Sequence, residues 1–275
     1  MINPRSGKGS PTADDLVAAA RRHDVETHVL RPGEDIAELA READAPALGA
    51  AGGDGTLSGV AAVAIERDLP FVCVPFGTRN HFARDLGLDR DDPLAALDAF
   101  SGEERRVDVG RVNGRLFLNN VSIGVYARLV HHREHHRRRR EALARLRSLA
   151  IVLTQRHALR LTIDGEPTTA RILLVANNSY LLDPLSVGER ESLDEGLLHL
   201  YTANGVLPRS WDDHTGTEFT IGAAPKRLKI AVDGDPAALD TPLELRIEPR
   251  ALRVLLLPGV EDEGDVGEGE LAASG

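Results

Sequence analysis

The amino-acid sequence predicts an α/β domain built on a parallel sheet, followed by a β-rich, sandwich-like domain. Three observations carry this. An apolar strand, a glycine turn and a helix follow one another twice, from Ala47 to Leu57 and from Phe71 to Arg84. Helix and strand signals alternate up to about Val112, the pattern of a doubly wound sheet. Beyond Val112 the signals become short, alternating and turn-bounded, as in a sandwich. These changes set the boundaries at 1–112 for the first domain, 113–258 for the second and 259–275 for an acidic, disordered tail.

Taken in order, Met1-Ile2 runs straight into Asn3-Pro4, so the first strand is cut short. Either the sheet lacks a full strand there or the true start lies upstream. Ala13 to His23 carries apolar residues at helical spacing and ends in Arg21 and Arg22, where basic side chains suit helix carbonyls. Val25 to Leu30 alternates as a short strand, and Asp35 to Glu42 reads as a helix. The two strand–turn–helix units come next, then a helix from Pro93 to Phe100. Gly114-Arg115 turns between Val109–Val112 and Leu116–Val121, a hairpin. Glu141 to Leu153 sets Leu143, Leu146, Leu149, Ile151 and Val152 on one helix face. Strands follow at Leu159–Ile163, Ala170–Ala176, Leu197–Thr202, Leu228–Val232, Leu243–Ile247 and Leu252–Leu256, with Asp164-Gly165 as a turn.

Composition narrows the function classes. With 275 residues, 42% of them hydrophobic, the chain can build a core and is not a disordered protein. The single cysteine, Cys73, lies in an apolar strand; it excludes an internal disulfide and fits a reducing compartment. No apolar run reaches the length of a membrane span and no signal peptide opens the chain, so a cytoplasmic protein is expected. A net charge of -10 argues against nucleic-acid binding. The run from His131 to Arg140 is strongly basic. It reads as a solvated loop or helix start, or as a surface for anionic lipid headgroups.

Gly52-Gly53-Asp54-Gly55-Thr56 is the densest chemical signal. Its glycines let a backbone approach a phosphate closely. A carboxylate beside that bare backbone makes sense when a divalent metal sits between it and bound phosphates. Thr56 supplies a hydroxyl, and the helix opening near Leu57 favours negative charge at its N-terminus. The alternative is a glycine-rich turn with an Asp N-cap. In the second unit, Pro75-Phe76-Gly77-Thr78-Arg79-Asn80 repeats the strand-to-glycine pattern, so both turns fall on the ligand-binding edge of one sheet. Ser6-Gly7-Lys8-Gly9-Ser10 is not a Walker A loop, for it lacks the first glycine at the required spacing.

Together with Asn3-Pro4-Arg5-Ser6-Gly7 and Phe82-Ala83-Arg84, these motifs resemble the diacylglycerol kinase catalytic family, which includes bacterial diacylglycerol and sphingosine-type lipid kinases. The resemblance continues through Val107–Gly110, Phe117–Gly124, Leu193–Leu198 and Val232–Pro236. It implies the NAD-kinase/diacylglycerol-kinase-like plan: a nucleotide-binding α/β domain, a β-rich lipid-side domain and a site between them. It implies ATP and Mg²⁺ as cofactors and a lipid hydroxyl at a membrane surface as acceptor, with the protein peripheral at the inner face. A homodimer stays open.

The resemblance also distributes roles. ATP would lie on Asn3, Pro4, Arg5, Ser6, Gly7, Gly52, Gly53, Asp54, Gly55, Thr56 and Thr78. Asp54 would hold the catalytic metal, with Asp108 as second candidate; the other reading of Asp108 is a strand-end carboxylate. The family's proton acceptor is a Glu at the end of an Asp-Gly-Glu turn, and Asp235 stands there. A plain Asp-Gly hairpin is the alternative. Glu195, with the carbonyls of Ser192 and Leu197, matches a structural Mg²⁺ loop; an acidic turn without metal is the other reading. The chain departs from the family at His81, where an Asp is frequent, at Ser58-Gly59, where Asn-Glu is usual, and at Leu30, where a Thr is common. These departures keep two rivals open: a regulator that has lost catalysis, and an NAD-kinase-like enzyme with a soluble acceptor.

Overall fold

A computed structural model describes residues 1–7, 9–78, 80–124, 158–181, 189–190, 192–203 and 211–257. The expected helix over Glu141–Leu153, the basic run at His131–Arg140 and the acidic tail lie outside these residues.

Helix α1 (Ala13–Arg22) starts at a reciprocal Thr12–Asp15 capping box, and α2 (Ile36–Glu42) at Asp35, whose carboxylate accepts from the N–H groups of Ala37 and Glu38. Such caps satisfy helix N–H groups that have no partner within the helix. Strand β1 (Leu48–Gly52), helix α3 (Asp54–Glu66) and strand β2 (Phe71–Pro75) form the expected parallel unit, Leu48 pairing with Phe71 and Gly52 with Pro75. The short helix α4 (His81–Asp85) follows β2. The segment predicted as a helix from Pro93 is a 3-10 helix over Ala95–Ser101. Val25–Leu30 makes no strand. Ile2 bridges Val29 on one side and Ala51 on the other, and that single residue is too short a partner to extend pairing.

The second half supplies β3 (Glu103–Val112), β4 (Arg115–Phe117), β5 (Asn120–Gly124), β6 (Leu159–Ile163), β7 (Glu166–Ala170), β8 (Ile172–Asn177) and β9 (Leu198–Ala203). It continues with β10 (Trp211–Gly216), β11 (Glu218–Ala223), β12 (Arg227–Val232), β13 (Asp235–Asp240) and β14 (Leu243–Leu256). One sheet runs β10-β9-β8-β5-β12-β13, antiparallel throughout; the other runs β1-β2-β14-β11-β6-β7, with β3 on β14 and β4 on β3. Two strands read at Leu243–Ile247 and Leu252–Leu256 are one, bent by a register shift after Glu248 where Arg250 takes a φ of 52°. Through that bend β14 joins the parallel strands, Val254 pairing with Phe71. The last described strand thus sits beside the second glycine-turn strand.

Among the described residues, apolar side chains fill three large regions and a small one around Ala176, Tyr180 and Tyr201. Phe71 and Cys73 on one face of β2 pack with Leu57, Val60 and Phe82; Val72 and Val74 on the other face pack with Leu16 and Leu97. Burial on both faces is why this strand reads as an unbroken apolar run. The third region lies between the two sheets, where Val121, Val175, Leu200 and Ile230 meet Phe219, Ile221 and Leu245. This is the sandwich the alternating strands predicted. Burial raises the Cys73 thiol far above its ordinary range and leaves it inert. Among the described residues no helix is long and apolar enough to cross a membrane.

Candidate active site

The two glycine turns meet at the C-terminal ends of β1 and β2. A Cβ on Gly77 would stand 2.5 Å from the Cα of Gly53, so the two backbones touch. Buried Asn80 holds the second turn shut. Its Oδ1 accepts from the Gly77 N–H at 2.9 Å, its Nδ2 donates to the Gly77 carbonyl at 3.0 Å, and its own backbone is left-handed at φ 47°. Asn tolerates that conformation better than most side chains, which explains its place in the motif. The first turn is pinned from the N-terminus, where Asn3 Nδ2 donates to Thr56 Oγ1 at 2.9 Å and the Asn3 N–H donates to the Ala51 carbonyl. A cleft of about 240 Å³ results, lined by Asn3, Ser6, Gly53–Thr56, Gly77, Thr78 and Asp233–Asp235. A larger cavity of about 620 Å³, bordered by Leu16, Val25, Leu48 and Phe100, shares none of these residues. Chemistry, not size, selects the smaller one.

The far wall is the β12–β13 hairpin. Val232 pairs with Asp235, so Asp233-Gly234 is a two-residue turn with φ of 50° and 80°, the geometry that favours Asp-Gly. Asp233 is buried, and its carboxylate accepts from the N–H groups of Leu118, Asn119 and Asn120 at 2.8, 2.7 and 3.1 Å. Burial pushes its pKa up to about 7 against the lowering effect of those bonds, and the charge of Asp54 adds to the rise. The hairpin so anchored carries Asp235 over the start of α3, where a Cβ on Gly55 would overlap Asp235 Oδ2.

Asp54 is the first residue of α3 and is buried in the cleft. Asn119 Nδ2 approaches its Oδ1 at 3.4 Å. Behind Asn119 stands Arg190, which sequence reasoning missed. Its guanidinium pairs with Asp85 at 2.7 Å and donates to the carbonyls of Leu118 and Asn177 and to Asn119 Oδ1. Gly77, Asp233 and Gly234 stood inside motifs already singled out, whereas Arg190 and Asp85 carry no local signal.

Of the expected residues, Asn3, Ser6, Gly53, Asp54, Gly55, Thr56, Thr78 and Asp235 come together in the cleft. Gly7 packs beneath Phe76 and Gly52 against Thr56, with Pro4 and Arg5 in the exposed turn between Asn3 and Ser6. Asp108, Ser192, Glu195 and Leu197 stand apart. Asp108 is buried with its oxygens on the N–H groups of Gly196 and Arg250, both at 2.7 Å, so it fastens a loop rather than facing the cleft. Glu195 Oε2 accepts from the Ser179 N–H and faces His199 Nε2 at 3.2 Å, and the Leu197 carbonyl accepts from the Asn178 N–H. Ser192 Oγ donates to Asp194, the loop's other carboxylate. Among the described residues no three His, Cys, Asp or Glu side chains converge as a metal cage.

Comparison with known proteins agrees with this architecture. Residues 1–112 match the diacylglycerol kinase catalytic domain. The diacylglycerol kinase of Bacillus subtilis (strain 168) is 36% identical over 103 residues, which span 35% of this chain and 34% of that protein. A "Probable lipid kinase YegS-like" protein of Klebsiella pneumoniae (strain 342) is 26% identical over 284 residues, spanning 92% of this chain and 94% of the relative. A solved diacylglycerol kinase structure from Bacillus anthracis str. Sterne has a TM-score of 0.67 at 18% identity, covering 94% of this chain and 96% of that one; this likeness shows the fold. Residues 1–112 thus resemble the diacylglycerol kinase catalytic domain, and over most of its length the chain is similar to a relative described as a probable lipid kinase.

Proposed function

We propose that the protein transfers the γ-phosphoryl group of ATP, with Mg²⁺, to a hydroxyl of a diacylglycerol-like or other long-chain lipid, working at the inner face of a membrane. The observation that carries this reading is Asp235. A carboxylate from the second half of the chain stands over the N-terminus of α3, in the cleft where the glycine turns meet. Phosphoryl transfer needs positioned phosphates and a group to take the acceptor's proton.

The glycine backbone of residues 53–55 and 77, the hydroxyls of Ser6, Thr56 and Thr78, and the positive end of α3 suit the phosphates. The donor set also suits Mg²⁺, which takes oxygen ligands and keeps several waters, so Asp54 and phosphate oxygens suffice without a protein cage. Bound there, Mg²⁺ would neutralise charge on the phosphates. Asp235 would accept the proton of the lipid hydroxyl as its oxygen bonds to phosphorus and the bond to the β-phosphate oxygen breaks. Asp is one methylene shorter than the family's Glu, and the close seat of the hairpin over Gly55 compensates for the lost reach.

The test is incubation of purified protein with labelled ATP, Mg²⁺ and lipid extracts in mixed micelles, with NAD as a soluble acceptor control. Labelled lipid supports the proposal, and its loss in Asp54→Asn and Asp235→Asn supports the assigned roles. Label on NAD alone, or nucleotide binding with no transfer to any acceptor, overturns it.

A further inference from the structure

We infer that Arg190 is a positioning residue of the phosphate cleft: it sets the orientation of Asn119 so that the amide N–H of Asn119, and not its carbonyl oxygen, meets Asp54. This rests on the reading of Asp54 as the metal-holding carboxylate.

The argument is one of hydrogen-bond valence. An Asn side chain offers a carbonyl acceptor at one corner and an N–H₂ donor at the other, and only its surroundings decide which way round it sits. A guanidinium has donors alone. Arg190 Nη2 lies 3.1 Å from Asn119 Oδ1, so the oxygen must face the arginine and the N–H₂ must face away. The group on that far side is Asp54, whose Oδ1 is 3.4 Å from Asn119 Nδ2. In the reversed orientation Asn119 would set its carbonyl against the carboxylate of Asp54 and its N–H₂ against Arg190. Both contacts would then be repulsive.

Arg190 is itself held on several sides. Its side chain is 0% exposed and that of Asp85 only 2%, and they pair at 2.7 Å. Arg84 donates to the other oxygen of Asp85 from both Nε and Nη2. Nη1 of Arg190 reaches the carbonyls of Leu118 and Asn177 at 2.8 and 3.1 Å. The guanidinium thus spans α4, which follows the second glycine turn, and the strand ends of the second half. Burial makes each of these bonds geometrically strict, because no water is at hand to replace one. Arg190 does not line the cleft; it acts there through Asn119.

The test separates the affinity for nucleotide alone from the gain that metal adds. A non-hydrolysable ATP analogue is titrated calorimetrically into wild type, Arg190→Met, Arg190→Lys and Asp54→Asn, once with Mg²⁺ and once with EDTA. The wild type should bind more tightly with Mg²⁺, and Asp54→Asn should lose that gain. Arg190→Met should lose about tenfold of the Mg²⁺-dependent gain, the scale for groups that orient a metal ligand, while its affinity in EDTA holds. Arg190→Lys, which keeps a donor, should recover part of it. Should Arg190→Met fail to fold, the double variant Asp85→Asn/Arg190→Met removes both buried charges and carries the same readout. Equal losses with and without Mg²⁺ would make Arg190 a structural strut only and overturn the inference. An unchanged gain in both the single and double variants would overturn it as well. A wild type with no Mg²⁺ gain would sink the metal reading of Asp54, and this inference with it.

Discussion

Asp233 should make the protein lose stability as pH rises toward neutrality, the reverse of the usual carboxylate effect. Its folded pKa is raised to about 7 from an ordinary 3.8, because burial costs the charged form more than three backbone N–H bonds return. Below pH 4 the carboxyl is protonated in both folded and unfolded chains, and its contribution is fully present. Between about pH 4 and 7 the folded state keeps a proton that the unfolded state has released, so stability falls with pH. Above pH 7 both states are ionised and the slope vanishes. A difference of about three pH units, at about 1.4 kcal/mol each, amounts to about 4 kcal/mol at the limit. From pH 5 to 8 the change is about 3 kcal/mol, or on the order of 1 M in the urea midpoint. Urea titrations at pH 5, 6, 7 and 8 on wild type and Asp233→Asn would measure it. The Asn variant cannot ionise, so the difference between the two curves isolates this group from others that titrate in the same range. Parallel curves would refute the reasoning and show that the N–H bonds of Leu118–Asn120 outweigh burial.

Other substitutions test other links. Gly55→Ala should lower kcat on the order of a hundredfold, because its Cβ takes the place of Asp235 Oδ2; Tm should hold or rise, since Ala suits a helix better by about 1 kcal/mol. An unchanged kcat would show that Asp235 does not act from that seat. Asn80→Ala should cost about 2–4 kcal/mol in urea unfolding, from the lost bonds to Gly77 and the left-handed backbone, and Asn80→Gly should recover the backbone share only. Cys73 should resist thiol reagents at pH 8 in the native state and react only as the protein unfolds, so rapid native labelling would contradict its burial.

The parts legible in the sequence were those whose chemistry is local. Glycine turns announce themselves because few other residues permit backbones to touch as Gly53 and Gly77 do. Asp233-Gly234 was readable as a tight hairpin for the same reason, and β2 as a buried strand from its unbroken apolar run. The strands β7, β10, β11 and β13 were missed; β7, β10 and β13 are sheet edges, whereas β11 lies between β14 and β6. Among the described residues Trp211–Gly216 pairs on one side only, and it is mostly exposed, so no apolar alternation marks it. The segment Leu116–Val121 read as one hairpin arm, but Leu118-Asn119 crosses between the sheets there, tied down by a carboxylate far along the chain.

The sequence by itself determined the two glycine turns, the helix expected from about Leu57 and the resemblance to the diacylglycerol kinase catalytic family, since each depends on backbone freedom and spacing within a few residues. It also named Asp54 and Asp235, and the resemblance put their site between the two domains. Only the tertiary structure decided that Asp235 stands over Gly55, that Asp108 fastens a loop instead of facing the cleft, and that Arg190 lies behind Asn119. The physical reason is that a carboxylate's role depends on which donors surround it. The donors of Asp108 come from Gly196 and Arg250, and those of Asp233 from Leu118–Asn120, positions that only the crossing of two sheets brings within hydrogen-bond reach.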